Sequence, residues 1–425
     1  MRTALLAPVL TTLALVALVL FGPVRPAAAQ TDLVGPDTLS GVLDLRLDAA
    51  DGEDSFLRGG YGKTEVSGAR GGVAVRPALG LAALAWRPEV YGDLSAYVLA
   101  ESQTGQYHAV DLAEAYLLYK PLPRSALLHY ALRAGLMWPP ASLEHDGPAW
   151  TVTRTLTPSA IDTWIAEEVK TAGVEASIGG EYFGQRLDLT AAAFGDNDTA
   201  GTLLAYRGWA LDDIRSTLFA EIPMPQGPPR FEAYAAEPST SLDSRAGIYA
   251  KLDWRPPAPI ALQAFYYDNN GDPHVFKDGQ WDWRTRFGDL GLTAHPGWGV
   301  EVLGQVLKGE SYYGGYGPGL RFVDVKFASA YLLVTRRFGR SRFTVRADWF
   351  DVQDQLDYLG GAYAESARDE RGKAGTVDYA YALTHHLSLW LEGMHVWSNH
   401  PSRAMIGLPP TETQNVLRVA LRASL

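Results

Sequence analysis

The sequence predicts an all-β chain, a transmembrane up-and-down antiparallel β-barrel of sixteen strands, or eighteen if one ambiguous region supplies two more, with a pore-constricting loop after the fifth strand. Three observations carry this. The segment 415–425 places Leu417, Val419, Leu421, Ala423 and Leu425 on one parity and Arg418, Arg422 and Ser424 on the other, the period of a strand with one apolar and one charged face. In an open sheet such a strand would be an unprotected edge, whereas a closed barrel zips it to the first strand. The second observation lies at the other end. Arg2, an apolar run from Ala4 to Phe21, Gly22-Pro23 and then Ala27-Ala28-Ala29 have the order of a charged region, an apolar core and a small-residue cleavage site. Residues 1–29 are therefore expected to be a signal peptide and 30–425 a single outer-membrane barrel domain. The third observation is an alternation of short and long connections, taken up below.

Composition fits an exported barrel. The chain has 425 residues and no cysteine, so a disulfide scaffold is excluded. Removing 1–29 takes away Arg2 and Arg25 and no acid, lowering the formal charge from −11 to −13, and this argues against nucleic acid as a partner. Mean hydropathy is −0.09. Near-neutral values are what a barrel gives, because lipid-facing and lumen-facing residues cancel in any window. No run after the signal approaches the length of a membrane helix.

Alternating segments begin near Gly41. Leu43, Leu45 and Leu47 alternate with Asp44, Arg46 and Asp48; Leu94, Ala96 and Val98 with Ser95, Tyr97 and Leu99; Phe343, Val345, Ala347 and Trp349 with Thr344, Arg346, Asp348 and Phe350. Similar alternation runs over 245–254, 300–303 and 377–384. A soluble sandwich has the same period, so the connections decide. Short turns at 87–92, 121–125, 179–185, 255–259, 295–299, 339–341 and 385–386 alternate with long polar connections at 51–71, 101–110, 139–168, 196–212, 269–280, 309–320, 352–373 and 399–414. Periplasmic turns and long outer loops have this rhythm, and it requires an even strand number. The ambiguous region is 214–222 with 231–236. With sixteen strands the interior is too wide for wall side chains to fill, so a water-filled lumen, narrowed by the inserted loop, is expected. Trp86, Tyr119, Trp138, Trp254, Tyr266, Trp349 and Trp397 fall at strand ends, as interfacial girdles require.

The stretch from Trp138 to Glu168 is too long for a neutral connector. Thr157 is placed as a helix N-cap with Pro158 at the first helical position, and Ile161, Trp164 and Ile165 share one apolar helical face. Such a helix could pack on the barrel wall and set pore size, with Asp162, Glu167 and Glu168 directed elsewhere.

The run Asp111-Leu112-Ala113-Glu114-Ala115-Tyr116-Leu117-Leu118-Tyr119-Lys120-Pro121, then Leu132-Arg133-Ala134-Gly135-Leu136-Met137-Trp138-Pro139-Pro140, then Ser142-Leu143-Glu144 resembles the porin O and P (phosphate-selective) family. The resemblance covers about residues 94 to 180 and elsewhere extends only to strand rhythm. It implies a sixteen-stranded, usually trimeric porin with a loop folded into the lumen after the fifth strand, where 138–168 lies. The chain departs from that family in having only eight lysines, an acidic balance and Leu425 as its last residue. The architecture is carried over and phosphate selectivity is not.

Parity and loop position nominate Arg133, Glu144, Asp146, Asp162, Arg284, Arg286, Arg346 and Asp348 as pore-lining or constriction residues, because a charge near the midplane of the lipid face would cost ~2–4 kcal/mol. Asp44, Asp324, Lys326, Asp378 and Glu392 share polar faces, and Arg346 and Asp348 are spaced to pair with each other. The run Asp268-Asn269-Asn270-Gly271-Asp272 has oxygen ligands but lacks the downstream glutamate of a calcium loop, and His385-His386 alone is not a metal site. No metal, cofactor or catalytic residue is therefore assigned. There is no Gly-x-Ser-x-Gly, and only 30–40 precede the first strand, too few for a plug domain. The expected role is passive diffusion of small hydrophilic solutes or ions by a barrel in contact with outer-membrane lipid, with a homotrimer as an expected assembly. The alternative is a non-conducting barrel acting in adhesion or as a surface enzyme.

Overall fold

The computed structural model describes residues 34–35, 37–69, 72–123, 128–225, 233–315, 321–356 and 368–425; the expected signal peptide, 1–29, lies outside them. Sixteen strands form the barrel: β1 Leu39–Ala50, β2 Ala74–Trp86, β3 Leu94–Ser102, β4 Asp111–Tyr119, β5 His129–Met137, β6 Thr171–Tyr182, β7 Gln185–Gly195, β8 Gly247–Arg255, β9 Ile260–Asp268, β10 Arg284–Gly297, β11 Val300–Gly314, β12 Arg321–Phe338, β13 Ser341–Asp354, β14 Glu370–Ala382, β15 Leu387–Asn399 and β16 Thr411–Ser424. Each pairs antiparallel with its neighbours in chain order. The sheet closes where β1 pairs with β16, from Val42 opposite Ser424 to Ala50 opposite Val416. Closure leaves no edge, as a strand wall in lipid requires.

Among the described residues, the ambiguous region does not join the wall. Ile222–Pro223 and Ala235–Ala236 pair only with each other, so the count is sixteen. Pro223 and Pro225 remove donors that a wall strand needs.

Side chains alternate as the sequence suggests, with burial the reverse of a soluble sheet. Leu45 is 48% exposed while its neighbour Asp44 is 0% exposed. Leu417, Val419 and Leu421 are likewise exposed and Arg418 is buried. The apolar parity faces outward, where lipid would lie, and the charged parity faces an interior that the long connections fill. One girdle placement differs from expectation. In β3, Tyr97 and Leu99 are inward and join Leu81, Ala83 and Trp138 in an apolar cluster. Trp138 is therefore not a girdle residue, since it is buried and its indole N–H donates to the Ala166 carbonyl at 3.2 Å.

The short-turn end is built from tight reversals. Tyr182 pairs with Gln185, so the hairpin between β6 and β7 turns on Phe183 and Gly184, at φ +49° and +70°. Positive φ at both central residues matches the right-handed twist of the strands. The opposite end carries 51–69, 72–73, 138–170, 196–225, 233–246, 269–283 and 400–410.

If the exposed parity faces lipid, Leu45→Arg near the middle of β1 should cost about 2–4 kcal/mol. Leu45→Phe should cost far less. Denaturant unfolding of both variants from vesicles measures the difference, and equal costs would place Leu45 against water.

Candidate functional site inside the barrel

The segment between β5 and β6 lies against the inward parity of the wall. Its helix α1, Ala160–Glu168, is buried along its whole length. The helix starts two residues later than the sequence suggests. Ser159 is the N-cap and accepts from the Asp162 N–H at 3.3 Å, because the Thr157 hydroxyl is already committed to Glu392, donating to Oε1 at 2.6 Å. The expected apolar face is present. Ile161, Trp164 and Ile165 sit in the main core, and the Trp164 ring meets Phe287 and Phe327 of the wall edge-on at 5.0 and 5.2 Å between centroids.

The residues before α1 are held by wall charges. Arg346, fully buried, donates to Asp348 at 2.9 Å, to Glu144 at 3.2 Å and to the carbonyls of Thr157 and Pro158 at 2.6 and 2.8 Å. The carboxylates in turn receive the backbone N–H groups at the helix start: Ser159 to Glu144 at 2.7 Å, Ala160 to Asp348 at 3.2 Å, and Leu156 and Thr157 to Glu392 at 2.7 and 3.1 Å. Carboxylates suit this end because the first-turn N–H groups lack intrahelical acceptors and carry the positive end of the helix dipole. Arg154 reaches from the same segment to Glu301 on β11, with bonds of 2.8 and 2.9 Å, and to Asp146 at 2.7 Å. Near its start the segment forms a stack: the Lys170 ammonium lies 2.8 Å from the Trp138 ring centroid, Trp138 stacks on Trp150 at 4.1 Å, and Trp150 on His145 at 3.8 Å.

Of the nominated residues, Glu144, Arg346 and Asp348 come together in this clamp. Asp162 is buried beside it, and neither carboxylate oxygen has a hydrogen-bond partner among the described residues. Asp146 is separate, half-exposed and bonded to Arg154 and Thr153. Arg133 is inward but on another part of the wall, in a bidentate pair with Glu175 at 3.0 and 2.8 Å that Tyr249 joins at 2.7 Å. Arg284 and Arg286 correct the sequence reading. On β10 the inward positions are Thr285, Phe287 and Asp289, whereas Arg286 shares the outward parity with Leu290. The two arginines sit at the outer end of the strand and pair across the wall with Asp268 and Glu310. At a strand end a long cationic side chain reaches water, so the midplane cost that guided their assignment does not apply.

A second inserted segment was not anticipated. Residues 196–246 include helix α2, Thr202–Tyr206, and a buried run from Trp209 to Thr217. Arg207 forms a bidentate pair with Glu167 of α1 at 2.7 and 2.5 Å, the Leu203 N–H donates to Glu168 at 2.9 Å, and the Trp209 N–H donates to Glu370 of β14 at 2.7 Å. Arg215 donates to the carbonyls of Ala149 and Trp150 at 2.6 and 3.1 Å and pairs with Glu101. Length was the available signal, since no period-two stretch interrupts 196–213. Toward the short-turn end a cavity of about 460 Å³ remains, lined by Arg154, His295, Arg337 and Arg342 together with Asp146 and Glu301.

Arg346→Met should leave Glu144 and Asp348 buried without their cation, a change that costs about 3–5 kcal/mol. Limited proteolysis should then cut within 139–159 of the folded barrel. Arg286→Ala, which removes a solvent-exposed pair, should stay within ~1 kcal/mol and leave that segment protected.

No protein-family profile matches the chain, and no curated protein sequence does. Solved structures do match in fold. The outer-membrane channel DcaP of Acinetobacter baumannii aligns with 92% of this chain and 99% of its own, at a TM-score of 0.55 and 12% identity. The anion-selective porin of Comamonas acidovorans aligns with 91% of this chain and 99% of its own, at 0.53 and 12%. Pseudomonas putida OprB aligns with 91% of this chain and 94% of its own, at 0.50 and 11%. Likeness at such identities concerns the fold, and the fold is the sixteen-stranded barrel of outer-membrane porins.

Proposed function

We propose that the chain is an outer-membrane porin, exported with removal of 1–29, through which small hydrophilic solutes or ions diffuse passively along a lumen narrowed by 138–168 and 196–246. The observation that carries this is the inward wall: a closed barrel with an outward apolar parity and an inward charged one, on which Asp348 holds the first residue of α1 and Arg346 and Glu392 hold the residues 156–158 before it. A barrel needing no passage could fill its interior with apolar side chains; charged walls and buried ion pairs suit a hydrated path. Architecture of the porin O and P type and assembly as a homotrimer belong to the same reading.

The 460 Å³ cavity indicates where charge selection would act. Arg154 is neutralised by Glu301 and Asp146. Arg342 has no salt bridge among the described residues and lies over the Trp390 ring, 4.7 Å from its centroid. With Arg337 beside it, this end of the path carries net positive charge.

Single-channel recording in planar bilayers tests the function. Stepwise conductance that rises on deleting 142–159 is the expected result. A folded barrel that never conducts would overturn the porin reading in favour of adhesion or surface catalysis, and the dense filling of the lumen gives that outcome its physical basis. In a salt gradient, the double variant Arg337→Gln/Arg342→Gln should shift the reversal potential toward cation preference. An unchanged potential would take the cavity off the conducting path.

A further inference from the structure

Three carboxylates meet at the long-connection end, away from the clamp. Asp198 lies just after β7, Asp243 just before β8 and Asp282 just before β10, and one oxygen of each falls within 4.8 Å of the others. We propose that Asp198, Asp243 and Asp282 hold a divalent cation, Ca²⁺ by preference, that ties both ends of the 196–246 segment to the 269–283 connection.

The orientation of the three groups is fixed by backbone donors. Asp198 accepts from the Leu242 N–H at 2.6 Å and the Asp243 N–H at 3.3 Å. The Asp272 N–H is shared between Asp243 at 3.1 Å and Asp282 at 3.0 Å. The Asp268–Asp272 run, set aside in the sequence for want of a glutamate, thus serves as a brace that aims carboxylates from elsewhere in the chain. A further observation points to an occupant. Asp282 has no exposed surface, and while its Oδ2 accepts from the Asp272 N–H, its Oδ1 is buried with no hydrogen-bond partner among the described residues. An orphaned buried carboxylate oxygen costs several kcal/mol unless a cation or a proton meets it.

The available side-chain cations do not meet it. Arg245 is 3.7 Å from Asp243 and directs its closer bond, 2.6 Å, to Asp272. Lys277 points its ammonium at the Leu242 carbonyl, 3.5 Å away. A bound divalent ion would offset the mutual repulsion of the three carboxylates. The ligand set is oxygen only, which suits a hard cation. Three protein carboxylates exceed the one or two that Mg²⁺, which keeps its waters, ordinarily takes, and they suit Ca²⁺.

Trp281 and Trp283 flank Asp282 in sequence and supply a built-in reporter. With the refolded barrel in detergent, Tb³⁺ should give saturable luminescence on tryptophan excitation. Ca²⁺ should displace it more readily than Mg²⁺, and Asp282→Asn should weaken binding by at least about tenfold. Asp243→Asn, at a position whose side chain is 10% exposed, repeats the test if Asp282→Asn does not fold. Unsaturable or absent emission from the native barrel would overturn the proposal. So would equal affinity in a folded variant. Ca²⁺-insensitive unfolding together with an Asp282→Asn variant more stable than the native chain would also overturn it, by assigning a proton to the orphaned oxygen. None of these readouts depends on conduction, so this proposal and the porin reading fail separately.

Discussion

The interior is organised around one buried guanidinium. A barrel of sixteen strands cannot be filled by its own wall; here connections enter it, and each inserted residue brings backbone N–H and C=O groups that need partners. Arg346 meets this demand on the carbonyl side, at Thr157 and Pro158, while the acids it balances meet it on the N–H side, at Ser159 and Ala160. The acids could not lie so close together without the arginine. The arginine in turn is buried at acceptable cost only because its donors are met by carboxylates and carbonyls.

The second segment repeats the device with different residues. Glu370 on the wall receives the Trp209 N–H and the Ser398 hydroxyl, while Arg207 and Glu167 lock the two segments to each other. The wall thus supports the first insertion, and the first insertion with the wall supports the second. Wall charge on the inward parity is therefore largely structural, and on the porin reading proposed above the residues that would meet a solute are those left over, such as Arg337 and Arg342.

Much of the wall was legible in the sequence because lipid and lumen impose opposite demands at a two-residue period. Leu43, Leu45 and Leu47 against Asp44, Arg46 and Asp48 could be read directly. The rule fails where its physical basis lapses. At the outer end of β10, Arg284 and Arg286 reach water from the outward face. On β3 the rule holds, with Tyr97 and Leu99 on the inward parity of Ser95, where Trp138 and Leu81 give them an apolar surface. The loop from Trp138 to Glu168 announced itself by length and by the Ile161, Trp164, Ile165 face. The 196–246 segment was harder to read, since its partners Glu167, Glu370 and Glu101 are distant in sequence and become neighbours only once the wall exists.

The β1–β16 seam has a kinetic consequence. Arg422 of β16 bonds to Asp44 of β1 across a sequence separation of 378 residues. No other strand pair can substitute for this contact, and until it forms the sheet is an open ribbon with two long apolar edges. Assembly is therefore committed only by its most nonlocal step, the kind that loop-closure entropy makes slow. The nearly complete ribbon is the species most exposed to pairing with a foreign strand.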